Sequence, residues 1–122
     1  MSGASVEFLE RFFAGTESDI EIRPIRKGAR PGVQTFSRDP AVLTTAIMNC
    51  VERNENAYFG CTTRRGKVGD KAHAAELVAF WCDLDFKDVP EPESLKRIAE
   101  FPVAPSIIIN SGGGLHVYWL LI

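Results

Sequence analysis

LVAFWCDLDF, residues 77–86, decides how the rest of the chain is read. It is an apolar run of strand length that ends in two carboxylates, Asp83 and Asp85. Side chains two residues apart on a strand share a face. Read as one continuous strand, the run puts Asp83 and Asp85 on one side, with Trp81 and Ala79 behind them. Phe80, Cys82, Leu84 and Phe86 then point the other way, into a core. Neighbouring carboxylates repel and raise one another's pKa unless a cation lies between them. A pair at a strand end therefore points to a hard, oxygen-seeking divalent ion, Mg²⁺ or Mn²⁺. The plain alternative is a strand running into an acidic loop, and D-x-D alone is too short to decide between them.

About twenty residues on comes SIIINSGGGLHVYWLLI, residues 106–122: two apolar runs around a glycine turn, with His116 just past it. A tight turn between strands needs one or two glycines, not three. Ser111, Gly112, Gly113 and Gly114 thus read as a turn that also lets a ligand or another backbone come close. His116, one step into the following strand, is placed to donate a hydrogen bond to a phosphate oxygen. Its plain alternative is a solvated or backbone-bonded histidine.

The chain has 122 residues, 45% hydrophobic and 25% charged, which suits one globular domain. Its net charge is −2, so a nucleic-acid role needs a local basic patch. Two groups qualify: Arg23, Arg26, Lys27 and Arg30 in the first third, and Arg64, Arg65, Lys67 and Lys71 before the central run. Solvated loop charge is the plain reading of both. The three cysteines, Cys50, Cys61 and Cys82, sit in apolar contexts without zinc-type spacing, which predicts buried free thiols, no zinc and a reducing, cytoplasmic setting. No apolar run is long enough to span a bilayer, and no membrane partner is expected. The sequence stops inside an apparent strand at Ile122, which reads as a fragment of a longer protein.

Residues 5–14 read as a helix capped by Ser2 or Ser5, with Phe8, Leu9, Phe12 and Phe13 inward and Gly15 ending it. Residues 20–25 alternate as a strand, with Pro24 placing it at an edge or bulge. Residues 30–32 turn the chain into a return strand at 33–36. Asp39-Pro40 starts a second helix running to about Arg53, burying Val42, Leu43, Ile47, Met48 and Val51. Residues 57–62 form a strand and residues 63–73 a basic surface loop. After the central run, residues 91–101 form a helix with Leu95, Ile98 and Phe101 inward. Strands follow at 106–110 and 115–122. The class is α+β, two-layered, with a mixed, largely antiparallel sheet. Residues 1–55 form an N-terminal unit and residues 56–122 the motif-bearing half.

WCDLDF followed by PSIIINSGGGLHVYWLL resembles motifs I and II of the archaeo-eukaryotic primase superfamily, in its primase-polymerase and plasmid or phage replication branch. That family has an apolar strand ending in D-x-D, then a histidine in a glycine-rich hairpin, often followed by an aromatic pair such as Tyr118-Trp119. NAYFGCTTR, residues 56–64, also resembles this branch. The likeness covers residue 56 onward well and the N-terminal part loosely.

The resemblance implies an RRM-like sheet flanked by helices, incomplete at its C-terminal side. Asp83 and Asp85 would hold two Mg²⁺ or Mn²⁺ ions that bridge a nucleoside triphosphate. His116 would touch its phosphates, and Ser111, Gly112, Gly113, Gly114 and Arg64 would complete the nucleotide site. The reaction implied is primase or DNA polymerase nucleotidyl transfer, a two-metal attack of a 3′-hydroxyl on an α-phosphate. DNA template and primer are the implied partners, contacted by Arg65, Lys67, Arg26 and Lys27, together with a helicase domain or subunit. The family's third acidic motif does not occur before Ile122.

Two other readings compete. In a haloacid-dehalogenase-type phosphatase Asp83 is a nucleophile, Asp85 a general acid and Ser111 a phosphate ligand, but Phe86-Lys87 departs from that pattern and GGGLH gains no role. A non-catalytic primase-like module would bind nucleic acid or a partner protein without turnover.

Overall fold

The computed structural model describes residues 2–121. The fold is α+β; the described residues form three α-helices and eight strands, with antiparallel pairing in every ladder. The parallel component of the expected mixed sheet is therefore absent among the described residues. The chain divides into two compact units, Met1–Val78 and Ala79–Ile122.

In the first unit, helix α1 (Ser2–Phe12) runs to Gly15, whose φ of +84° suits the left-handed end of a helix. Strand β1 (Ile20–Ile25) is central between β2 (Thr35–Ser37) and β3 (Asn56–Phe59). Pro24 is accommodated in this central strand because the β2 ladder covers only Ile20 to Ile22. Helix α2 (Pro40–Glu52) begins as its sequence dictates, with Asp39 Oδ1 accepting from the Ala41 N–H at 2.9 Å. It packs on all three strands, and α1 packs on α2. Phe8, Phe12 and Phe13 meet Phe59 with ring centroids 5.1–6.2 Å apart, mostly edge to face.

Only Leu43 and Cys50 of α2 are buried, a narrow i, i+7 stripe; Val42, Met48 and Val51 are exposed, contrary to expectation. The expected strand at 57–62 is two strands, β3 and β4 (Thr62–Arg64), separated at Gly60-Cys61. Strand β4 pairs with β5 (Ala74–Leu77) and is tied to the start of β1 by the Asp19–Arg64 bridge. These ladders attach residues 56–78 to the N-terminal unit, so the division falls after Val78 and not after residue 55.

The decisive run is consequently not one strand. Leu77 ends β5 opposite Thr62, the Val78 N–H bonds to the Cys61 carbonyl, and β6 (Ala79–Asp85) starts a new ladder in the second unit. There β6 and β7 (Ile107–Asn110) flank β8 (Gly114–Leu120) in a three-stranded sheet. Ile122 of the expected last strand lies outside the described residues.

Helix α3 (Glu91–Glu100) precedes β7 and has its buried Ser94 Oγ donating to the Val89 carbonyl at 2.8 Å. β6 is an edge strand, and the face expected to lie in a core is only partly covered. Phe80 is 60% exposed and Cys82 is exposed, while Leu84 and Phe86 are half-buried. Leu95 and Phe101, expected inward on α3, are likewise about half exposed. Burial is concentrated on Ala79, Leu115, Val117 and Tyr118.

Candidate functional site

The β6–β8 register settles which side chains share a face. Asp83 lies directly opposite His116, Trp81 opposite Tyr118, and Asp85 opposite Gly114. Directly opposed residues of an antiparallel pair point to the same side. Asp83, Asp85, His116, Trp81 and Tyr118 therefore form one face of the sheet; the alternation expected within β6 holds, and the register adds His116 and Tyr118 to it.

His116 Nε2 stands 3.1 Å from Asp83 Oδ1. The Asp83 side chain is 78% exposed and that of His116 34%, so the pair is open to solvent and to a ligand. Asp85 is held differently: its Oδ1 accepts from the Lys87 N–H at 2.9 Å, and its carbonyl receives the N–H groups of Asp88 and Val89. The carboxylate thereby terminates β6 in a tight Asx-type turn.

The three glycines of the hairpin answer to three different demands. Gly112 has φ +93°, and its N–H bonds to Asn110 Oδ1 at 2.8 Å. A Cβ on Gly114 would run into the Leu84 carbonyl oxygen, so close approach of β8 to β6 requires glycine there. Gly113 has neither constraint: a Cβ there would meet nothing within 4 Å, and its carbonyl receives the Phe86 N–H at 3.0 Å. Ser111 Oγ donates to the Gly114 carbonyl at 3.2 Å and so closes the turn. A shallow depression of about 330 Å³ results, lined by Asp83, Asp85, Ser111, Gly113, Gly114 and His116. Lys87 lines it too. That lysine is a residue the motif reading passed over, although a cation two positions after an acidic pair is a legible sign of an anion beside it.

Matched against family models, curated proteins and solved structures, the chain gives no significant match.

The donor chemistry of Asp83 and Asp85 suits a hydrated divalent cation, since Mg²⁺ is commonly held by one or two carboxylates with water and substrate phosphate completing its shell. The set goes no further: among the described residues no group of three or more His, Cys, Asp or Glu side chains is arranged to hold a metal ion. Asp83, Asp85 and His116 share a face without forming such a group.

The basic residues singled out in the sequence belong to the first unit. Arg64, expected at the nucleotide, lies in the first unit with its side chain 15% exposed; its Nε is 3.4 Å from Glu21 Oε1 and its Nη1 donates to the Asp70 carbonyl at 2.7 Å. Arg65 donates to the Ala74 carbonyl, and Lys67 to that of Phe36 while pairing with Asp19 at 3.6 Å. Arg26 and Lys27 are exposed where the β1–β2 connection begins. The sequence signalled the charge of this loop but not its work, which is to tie β4 and β5 to their neighbours.

Cys50 and Cys61 are buried free thiols, as expected, and burial pushes the Cys61 thiol up to about 11. Cys82 departs from that expectation because it lies on the incompletely covered face of β6. No helix among the described residues is long and apolar enough to cross a membrane.

Proposed function

We propose that the β6–β8 hairpin face is a nucleotidyl-transfer site of primase-polymerase type, serving DNA replication in the cytoplasm with nucleoside triphosphate, template and primer as its ligands. The observation that carries this reading is the register that sets His116 directly across from Asp83, with Asp85 on the same face and the open Gly113 turn beside them.

Each residue has a definite task. Asp83 and Asp85 supply the hard oxygen donors for Mg²⁺ or Mn²⁺. When bound, that metal neutralises triphosphate charge and aligns the attacking and leaving oxygens. His116, with Nε2 3.1 Å from Asp83 Oδ1, stands beside that carboxylate where its ring can reach a phosphate oxygen. Lys87 adds positive charge at the rim, and the absence of a side chain at Gly113 leaves space for the phosphates. No protein nucleophile is required. The engagement of Ser111 Oγ with the Gly114 carbonyl gives no support to a phosphatase reading in which that hydroxyl binds phosphate.

Among the described residues no third acidic ligand joins the set, so the chain is expected to bind metal and nucleotide weakly and to synthesise little primer alone. The test is Mn²⁺-dependent nucleotide binding to the native chain and to Asp83→Asn. A loss of tenfold or more, about 1.4 kcal/mol, is expected. Equal binding by both would remove the metal-site reading, and robust primer synthesis by the chain alone would contradict its incompleteness.

A further inference from the structure

We infer that Trp81 is the base platform of this site: its indole stacks on the nucleobase of a nucleotide whose phosphates lie against Asp83, Asp85 and His116. The inference rests on the nucleotidyl-transfer reading and adds to it a binding residue and a ligand specificity.

Trp81, Asp83 and Asp85 follow one another at two-residue spacing on one face of β6. Each step is about 6.7 Å along a strand. A nucleotide laid along the strand with its phosphates at the carboxylates brings its base over the indole, one step back. The strand opposite offers a matching row: Tyr118 faces Trp81, and His116 faces Asp83. Tyr118 is buried, so the ground beside the indole is filled, yet Trp81 itself is 60% exposed.

The second tryptophan makes the contrast. Trp119 lies on the opposite face, its Nε1 donating to the Val103 carbonyl at 3.0 Å and its ring 5.2 Å from that of Phe101. One indole of the sheet is used in packing, and the other is displayed on the carboxylate side. A single exposed aromatic is ordinary. Its alignment with the acidic pair and the depression is what assigns it a ligand. Stacking of a base on an aromatic ring tolerates any sequence because every base has a π-face. The preference expected is therefore for a nucleoside triphosphate over inorganic triphosphate, with little discrimination among bases.

The experiment uses the full chain carrying Trp119→Phe, which leaves Trp81 as its sole tryptophan. Indole emission is followed during titration with dATP and, separately, with inorganic triphosphate, both with Mg²⁺; affinities are measured in parallel by calorimetry. Expected are quenching by dATP and none by triphosphate. Trp81→Ala weakens dATP binding by about 5- to 100-fold, the range that stacking supports, and leaves triphosphate affinity unchanged. Trp81→Phe, which keeps a π-face, retains most of the dATP affinity. Asp83→Asn weakens both ligands.

If Trp81→Ala leaves dATP affinity intact, or weakens both ligands equally while Asp83→Asn still weakens both, stacking is overturned and the phosphate site stands. If neither ligand binds, or dATP binding ignores Asp83→Asn, the nucleotidyl-transfer reading fails and the platform fails with it.

Discussion

In Met1–Val78, Phe12, Phe13, Ile20, Ile22 and Leu43 are all at most 3% exposed, whereas in Ala79–Ile122 Phe80 and Trp81 are each 60% exposed and Ile108 is 46% exposed. The acidic residues divide in the same way. Glu21, in the first unit, is buried and receives Arg23 Nη2 at 2.9 Å and Gln34 Nε2 at 2.5 Å. Glu76 accepts from the N–H groups of Glu17 and Ser18 and from Thr63 Oγ1. In the second unit Asp83 is 78% exposed and faces one histidine. A carboxylate whose lone pairs are filled by its own chain is a structural element, and one that is left open is available to a cation or a ligand. By that criterion Glu21 and Glu76 are structural acids, and Asp83 is an open one.

The largest effect expected from this contrast is in packing. Phe13→Ala removes a ring that is 0% exposed and in contact with Phe12 and Phe59, and should destabilise the chain by about 3–5 kcal/mol. Phe80→Ala removes a ring already mostly in water and should change stability by no more than about 0.5 kcal/mol. Urea unfolding followed by far-ultraviolet circular dichroism measures both. Comparable losses would mean that the second unit has a core of its own that includes Phe80.

Much of this arrangement was legible in the residues. Alternation placed Asp83, Asp85 and Trp81 on one face of β6, and the register with β8 adds His116 to them. The Asp39-Pro40 start and the β1 limits also follow from local chemistry, in which a cap or a proline leaves few options. What periodicity did not reveal was where LVAFWCDLDF changes partners. Leu77 and Ala79 look alike as strand residues, but one belongs to the ladder with β4 and the other to the ladder with β8. Pairing is a long-range choice that a local pattern does not encode. The same limit explains Phe80 and Cys82: an apolar residue marks a face fit for burial but not whether anything covers it. The pairing of Arg64 was not legible either, because its buried partner Glu21 is 43 positions away and carries no local sign of it.

The glycine hairpin sharpens the contrast at a second level, within the site itself. Gly114→Ala drives a Cβ into the Leu84 carbonyl and should destabilise the chain by about 1–3 kcal/mol, because rigid backbone must shift. Gly113→Ala meets open space and should lie within about 0.5 kcal/mol of the native chain. Urea midpoints followed by tryptophan fluorescence report on this sheet, because Trp81 and Trp119 both lie on it. If Gly113→Ala is as damaging as Gly114→Ala, the turn is constrained at Gly113 as well, and the openness assigned to it is wrong. If it is stable but loses nucleotide binding, the space at Gly113 is there for the ligand.

The smallest effect concerns acid. The backbone N–H of Ser18 and the hydroxyl of Thr63 hold the Glu76 carboxyl below its ordinary range, and the His73 side chain does the same to Asp70; both are in the first unit. A carboxyl with a depressed folded-state pKa contributes stability that is fully present above its unfolded pKa, about 4.3 for Glu. The contribution is lost as pH falls from there through the folded value, because the unfolded chain then binds more protons than the native one. Urea midpoints of the native chain should therefore decline between pH 5 and pH 3 more steeply than those of Glu76→Gln. The two curves should be well separated at pH 6 and converge at the acid end, where Glu76 is protonated and resembles the amide. Parallel curves would show that the hydrogen bonds to Glu76 do not distinguish its charged form. The carboxylate would then be an ordinary surface acid, and the division between acids that build the scaffold and acids that await a ligand would lose one of its two clearest examples.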